Sequence, residues 1–197
     1  RALLRAGGIG VGAAFLASCA SEIESGGISG TPASSTSTPA TVPVTVPSAA
    51  TLAAEATQLR TAASVELLVA SVYTKYGPKL TDAAFVEHAA RFADDHTAAA
   101  EVYLAALEEA EAAADITASE PVVPNPYLQE NFVAPAAQGL VDDESILNFL
   151  RASEGTIAAN AIVAVSSYLT PAWRQRSMAF AAAAARRVTV LDNAGQG

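Results

Sequence analysis

Hydrophobic and polar positions alternate along most of this chain with the period of an α-helix. Between Asp82 and Ala114, Phe85, Ala89, Phe92, His96, Ala99, Tyr103, Leu107 and Ala110 recur at steps of three and four, so they share one face of a long helix. That face is apolar except at its middle, where His96 stands. Leu59, Ala63, Glu66, Val69, Tyr73 and Tyr76 form a similar stripe and predict a helix over Ala49–Tyr76, ended by Gly77-Pro78. A third stripe, Leu147, Leu150, Glu154, Ile157, Ala161, Val165 and Tyr168, predicts a helix over Asp142–Leu169. It opens on Asp142, Asp143 and Glu144, acids that suit a helix N-terminus. Thr170 as N-cap and Pro171 at the first helical position then start a fourth helix reaching Leu191, with Trp173, Ser177, Phe180, Ala184, Arg187 and Leu191 on one side.

No stretch alternates β-branched and polar residues as a strand would, so the expected fold class is all-α. The first two helices are joined by a short turn, as are the last two, which makes each pair antiparallel. Between Asp115 and Val141 the pattern fails: prolines fall at 121, 124, 126 and 135, with Tyr127 and Phe132 among them. A helix of ~28 residues is ~42 Å long, and an extended segment over 115–141 can reach that far. The segment therefore reads as a crossover running the length of a four-helix bundle.

Composition sharpens this picture. Hydrophobic residues make up 51% of the chain but aromatics only 6%, and alanine supplies much of the difference. Alanine is the best helix former and lets helices approach closely. The formal charge is −9 and the only lysines are Lys75 and Lys79; with no basic stripe, nucleic acid is excluded as a partner. The single cysteine, Cys19, excludes a disulfide within the chain. Gly155–Trp173 carries no charge, yet Asn160, Ser166, Ser167, Pro171 and its many alanines favour a buried helix over a membrane span.

Residues 1–19 have the character of an export signal. Arg1 and Arg5 precede an uncharged run over Ala6–Ala20, and Leu16-Ala17-Ser18-Cys19 resembles the lipobox at which bacterial lipoproteins are cut and lipidated. Arg1-Ala2-Leu3-Leu4-Arg5 resembles the second half of a twin-arginine signal. The competing reading, an uncleaved anchor, has fewer uncharged residues than the ~20 a span needs. Cleavage before Cys19 removes Arg1 and Arg5 and moves the formal charge from −9 to −11. A lipid on Cys19 then ties the chain to the membrane at its outer face, in the cell envelope. Residues 20–48, rich in Ser, Thr, Pro and Gly, read as a tether, leaving 49–197 as the globular domain.

Two short-linked helix pairs joined by a long crossover resemble the ferritin-like four-helix bundle. The resemblance spans about residues 50–191 and extends to ferritin-like lipoproteins of high-GC bacterial envelopes. It implies a two-metal site with a Glu from the first and third helices and a Glu-x-x-His from the second and fourth. Glu66 and Glu154 match the two glutamates. Ala93-Asp94-Asp95-His96 keeps the histidine but has alanine for the glutamate, and Ala184-Ala185-Arg186-Arg187 has lost both ligands.

Two buried glutamates need compensating charge. One reading is a Glu66–Arg187–Glu154 cluster with His96 hydrogen-bonded beside it and no cofactor. The alternative is one iron or other transition metal ion held by Glu66, His96 and Glu154. The first implies a non-catalytic binding or accessory module, attached to a membrane protein complex; the second implies a metal-dependent redox or metal-handling protein. Of the remaining residues, His88 and the Glu108, Glu109, Glu111 group read as solvated, as do Asp94 and Asp95, although Asp95 can reach inward. Tyr73, Tyr103 and Tyr168 read as core tyrosines with bonded hydroxyls, Met178 as core filling, and Trp173 as packing on the crossover.

Overall fold

The structure is a computed structural model that describes residues 47–117 and 120–194. The export signal, Cys19 and nearly all of the tether lie outside the described residues. Four long helices carry the fold: α1 (Ala49–Tyr76), α2 (Ala83–Ala113), α3 (Asp143–Ala164) and α4 (Pro171–Ala194). The described residues contain no strand, so the fold class is all-α as expected.

Each helix begins where a short polar side chain can satisfy its free backbone amides. Ser48, placed in the tether by composition, caps α1 by accepting from the Thr51 amide at 3.2 Å. Asp82 caps α2 through the Ala84 amide at 2.8 Å. Asp142 and Ser145 cap one another's amides at α3. The Thr170 hydroxyl accepts from the Trp173 amide at 3.3 Å. α2 ends on Asp115, which takes φ 55°. That left-handed turn lets the Ile116 and Asp115 amides bond back to the Glu111 and Ala112 carbonyls at 2.9 and 3.3 Å. α3 stops at Ala164, short of the expected Leu169. Its last turn tightens into a 3-10 turn over Val165–Ser167, and Tyr168 is already extended ahead of Thr170-Pro171.

α1 packs on α2 and α3 on α4, and the two pairs meet through α1 with α3 and α2 with α4. Gly77, at the start of the α1–α2 turn, allows the close approach: a Cβ there falls 2.5 Å from the Ala89 side chain. Tyr73 meets Phe92 of α2 and Glu154 of α3. Nearer the other end of α1, the Glu55 carboxylate accepts from the Leu169 amide just beyond α3 at 2.9 Å, so α1 and α3 are antiparallel. α2 and α3 are thus parallel, and the chain between them has to travel from one end to the other.

It does so along α1. Arg60 donates to the Glu120 carbonyl at 2.8 Å, and Ser64 pairs with Val123 and Asn125 at 2.9 Å. Further on, Phe132 stacks on Phe149 at 5.3 Å, and Asp143 accepts from Thr81 at 2.6 Å. The crossover is not extended throughout, which corrects the expectation. Helical turns over Pro126–Leu128, Gln129–Val133 and Ala134–Ala137 occupy its middle, the central one of π type. Pro135 cannot donate to a carbonyl four residues back, and the extra residue of a π-turn accommodates that loss. Because this segment covers α1, a second set of α1 residues is buried beyond the predicted stripe: Val65, Leu68 and Val72. Of the crossover aromatics, Tyr127 remains exposed.

The predicted stripes of all four helices point inward. No described helix is long and apolar enough to cross a membrane. Met178, expected as core filling, is 49% exposed, because it lies one position past the inward-facing Ser177.

Candidate functional site

Each helix sends one inward polar side chain to a common level of the core. Glu66 comes from α1, His96 from α2, Glu154 from α3 and Arg187 from α4. His96 and Glu154 are fully enclosed and Glu66 almost so. The imidazole bridges the two carboxylates, with Nδ1 2.6 Å from Glu66 Oε2 and Nε2 2.9 Å from Glu154 Oε1. Arg187 Nε donates to the same Glu154 oxygen at 2.8 Å, and so does the Tyr73 hydroxyl at 2.8 Å. Tyr73 also stacks on the imidazole, with centroids 5.6 Å apart and planes 19° off parallel.

Charge follows from these contacts. Burial alone would push the His96 pKa down, but hydrogen bonds to Glu154 and Glu66 and their negative charges raise it above the ordinary value. Burial works against the Glu154 carboxylate too, and the His96 and Arg187 interactions nevertheless hold its pKa low. Burial and the adjacent Glu154 charge drive the Tyr73 phenol upward, which keeps it a donor. These contacts favour an imidazolium between the two glutamates and set the Arg187 guanidinium beside Glu154. Such a cluster is tolerated in the interior because its ions are mutually paired.

The sequence brought the right four residues together with the wrong connectivity. Arg187 does not join Glu66 to Glu154; it bonds only Glu154, with Asp95 3.9 Å away on its outer side. The reason is helix order. α4 is diagonal to α1, and the space between them is filled by Tyr73 and His96. An imidazole has donors on opposite edges, so His96 is the group that can span the core. Tyr73 belongs to the cluster as well, and its spacing of seven from Glu66 was the available signal.

The same geometry tests the metal alternative. A single ion needs lone pairs from Glu66, His96 and Glu154 to converge, yet the two His96 nitrogens face different carboxylates. Among the described residues no three His, Cys, Asp or Glu side chains are placed to hold an ion. A guanidinium 2.8 Å from Glu154 adds fixed positive charge where a cation would bind. These side chains, as placed, do not fit a metal.

Two further buried acids escaped the pattern reading. Glu55 extends the α1 stripe one turn before Leu59, and the Leu169 amide donates to it. Glu111, expected in solvent, is buried and accepts from Arg60 at 2.9 Å. His88 is half-buried and stacks on Phe92 at 6.1 Å. Trp173 stacks on Tyr103 at 5.7 Å and lies against Tyr168, so it packs chiefly on the helices. The Tyr168 hydroxyl, expected to be bonded, is buried without a hydrogen-bond partner.

Two members of the cluster reach toward the outside: Arg187, half-buried beside the exposed Asp95, and Glu66. Glu66 lines a cleft of about 90 Å³ between α1 and α3, together with Gln58, Thr61, Tyr103, Asn160 and Tyr168. No protein-family model matches the chain, and neither does any curated protein or solved structure.

Proposed function

We propose that the globular domain is a non-catalytic ferritin-like module in which an internal ion-pair cluster takes the place of metals. The observation that carries this reading is His96, whose two nitrogens are each committed to a different glutamate. With both nitrogens committed in this way, the imidazole has no lone pair to offer an ion. The pairwise order of the helices and the crossover along α1 support the ferritin-like comparison. Fold likeness alone assigns no activity.

The proposal extends to location. Leu16-Ala17-Ser18-Cys19 supports lipidation at Cys19, and residues 20–48 support a tether between that anchor and the domain. The module then acts at the outer face of the cytoplasmic membrane as an accessory part of a membrane protein complex.

Elemental analysis of protein isolated from its native membranes tests the core. Iron, manganese, zinc and copper should each remain well below one atom per chain. Stoichiometric metal that is lost in Glu66→Gln and Glu154→Gln would restore the metal-handling reading. Gentle solubilisation followed by identification of co-purifying membrane proteins tests the accessory role, and the absence of any reproducible partner would remove it.

A further inference from the structure

The outer face shared by α3 and α4 carries no charge over its central length. α3 exposes Ala152, Gly155, Ala159, Ile162, Val163 and Ser166, which recur at steps of three and four along its outward side. Ile162 is 55% exposed and Val163 72%. α4 adds the exposed Met178. The Ser177 hydroxyl donates to the Ala161 carbonyl at 2.6 Å, which sets Met178 level with Ile162. At helical spacing Met178 also lies on the flank of α4 that carries Asp192, and Asp192 pairs with Arg151 of α3. No exposed residue is charged from Ala152 to Ser167 or from Met178 to Ala185, in a chain whose formal charge is −9.

Gly155 has no use inside its own chain. A glycine in a helix interior is disfavoured relative to alanine. Gly77 offsets that cost by admitting Ala89, but a Cβ on Gly155 would meet nothing within 4 Å. No glycine among the described residues has a positive φ, so backbone conformation does not call for one there either. What glycine does at this point is leave the α3 backbone open to close approach from outside. Charge and shape name the occupant. The face offers no charge to an acidic or basic partner, and on it two copies of an acidic chain can meet without like charges opposed. Its two ends are also complementary, small at Ala152 and Gly155 and bulky at Ile162 and Val163. A two-fold axis at Ala159 turns α3 antiparallel to its copy, sets Val163 of each over Gly155 of the other, and sets Ser166 over Ala152. Two adjacent helices present a face of roughly 30 by 20 Å, so the pair buries on the order of 1,200 Å², the low end of specific interfaces.

We propose that the α3–α4 face is the contact surface of a symmetric homodimer, with α3 packed antiparallel on its copy and Gly155 the point of closest approach. The dimer goes beyond the proposed function and does not depend on the state of the Glu66–His96–Glu154 cluster, since Glu154 points from α3 into the core and the contact residues point away from it.

Sedimentation velocity of the full chain over a range of concentrations, under reducing conditions that keep Cys19 unlinked, tests the dimer. A monomer–dimer equilibrium is expected, and Gly155→Leu and Ile162→Lys should each weaken it at least tenfold. Both positions are exposed, so the fold should survive either change. Gly155→Leu should leave the melting temperature of the dilute monomer unchanged or raise it, because leucine is the better helix former. In a Cys19→Ser background, Ala159→Cys should oxidise in air to a covalent dimer, since a residue on the axis meets its own copy. Gln138→Cys, exposed on the crossover, should not. A monomer at every concentration overturns the proposal. An association that survives both Gly155→Leu and Ile162→Lys overturns it too, because the contact then lies elsewhere in the chain. Binding of a monomeric chain to zwitterionic lipid vesicles, lost in Ile162→Lys, would give the face to a lipid surface instead.

Discussion

On either side of the Glu66–His96–Glu154 level the core is built from different materials. Toward Tyr76 and Phe149 it is filled by large branched and aromatic side chains, among them Leu68, Val72, Ile146 and Leu150. Toward Leu59 and Tyr168 the buried positions include Ala56, Ala63, Ala106 and Ala110, with Tyr103 and Leu107 between them. The first half interdigitates, and the crossover adds Phe132 and Val133 to it. The second half, where small side chains leave gaps between backbones, holds the Glu66 cleft. It also holds a groove of about 550 Å³ between α2 and α4, lined by Ala105, Ala106, Trp173 and Arg176. Alanine brings helices close but cannot fill the spaces between large neighbours. Where the charged layer borders the open half, Glu66 is the residue that lines the cleft.

The strongest way to break this arrangement is to remove the bridge itself. His96→Leu leaves two buried carboxylates with one cation and should cost about 3–5 kcal/mol by urea unfolding. A loss below 1 kcal/mol would mean the layer is hydrated and the two halves are not separated by it.

Next come the apolar clusters. Leu150 in the dense half is fully enclosed and Leu59 in the open half is 1% exposed. Leu150→Ala should cost about 2–5 kcal/mol, and Leu59→Ala should fall lower in the same range because its surroundings are already partly open. The reverse order would contradict the packing difference.

Tyrosine hydroxyls give a finer comparison. Tyr73→Phe removes a donor to the charged Glu154 and should cost about 1.5–3 kcal/mol. Tyr168→Phe removes a hydroxyl without a partner and should be near neutral in thermal melting. Equal losses would place a bond at Tyr168 that the geometry does not contain.

The mildest probe is pH. His96 has a raised pKa in the fold, so its stabilising effect is complete below the ordinary 6.5 and disappears as pH climbs through the raised value. Glu154 has a lowered pKa, so its effect is complete above the ordinary 4.5 and disappears as pH falls through the lowered value. Both contributions are whole between 4.5 and 6.5, and Tm should fall on the alkaline side of that window. His96→Leu should abolish the alkaline decline attributable to this group.

The sequence by itself determined the helices, their starts and their inward stripes, though not the early end of α3 at Ala164. A period of three to four, short polar caps and proline are local properties that do not wait for the rest of the fold. It also placed Glu66, His96, Glu154 and Arg187 on those faces, because one polar residue in an apolar stripe is visible without coordinates. Only the tertiary structure decided that His96, and not Arg187, joins the glutamates, since that depends on which helices are adjacent and which diagonal. It likewise decided the burial of Glu55 and Glu111, whose partners Leu169 and Arg60 lie far away in the chain. The helical turns inside the crossover belong to the same class. Packing against α1 and Phe149 orders them where neither periodicity nor propensity would, because long-range contact supplied what the local sequence lacked.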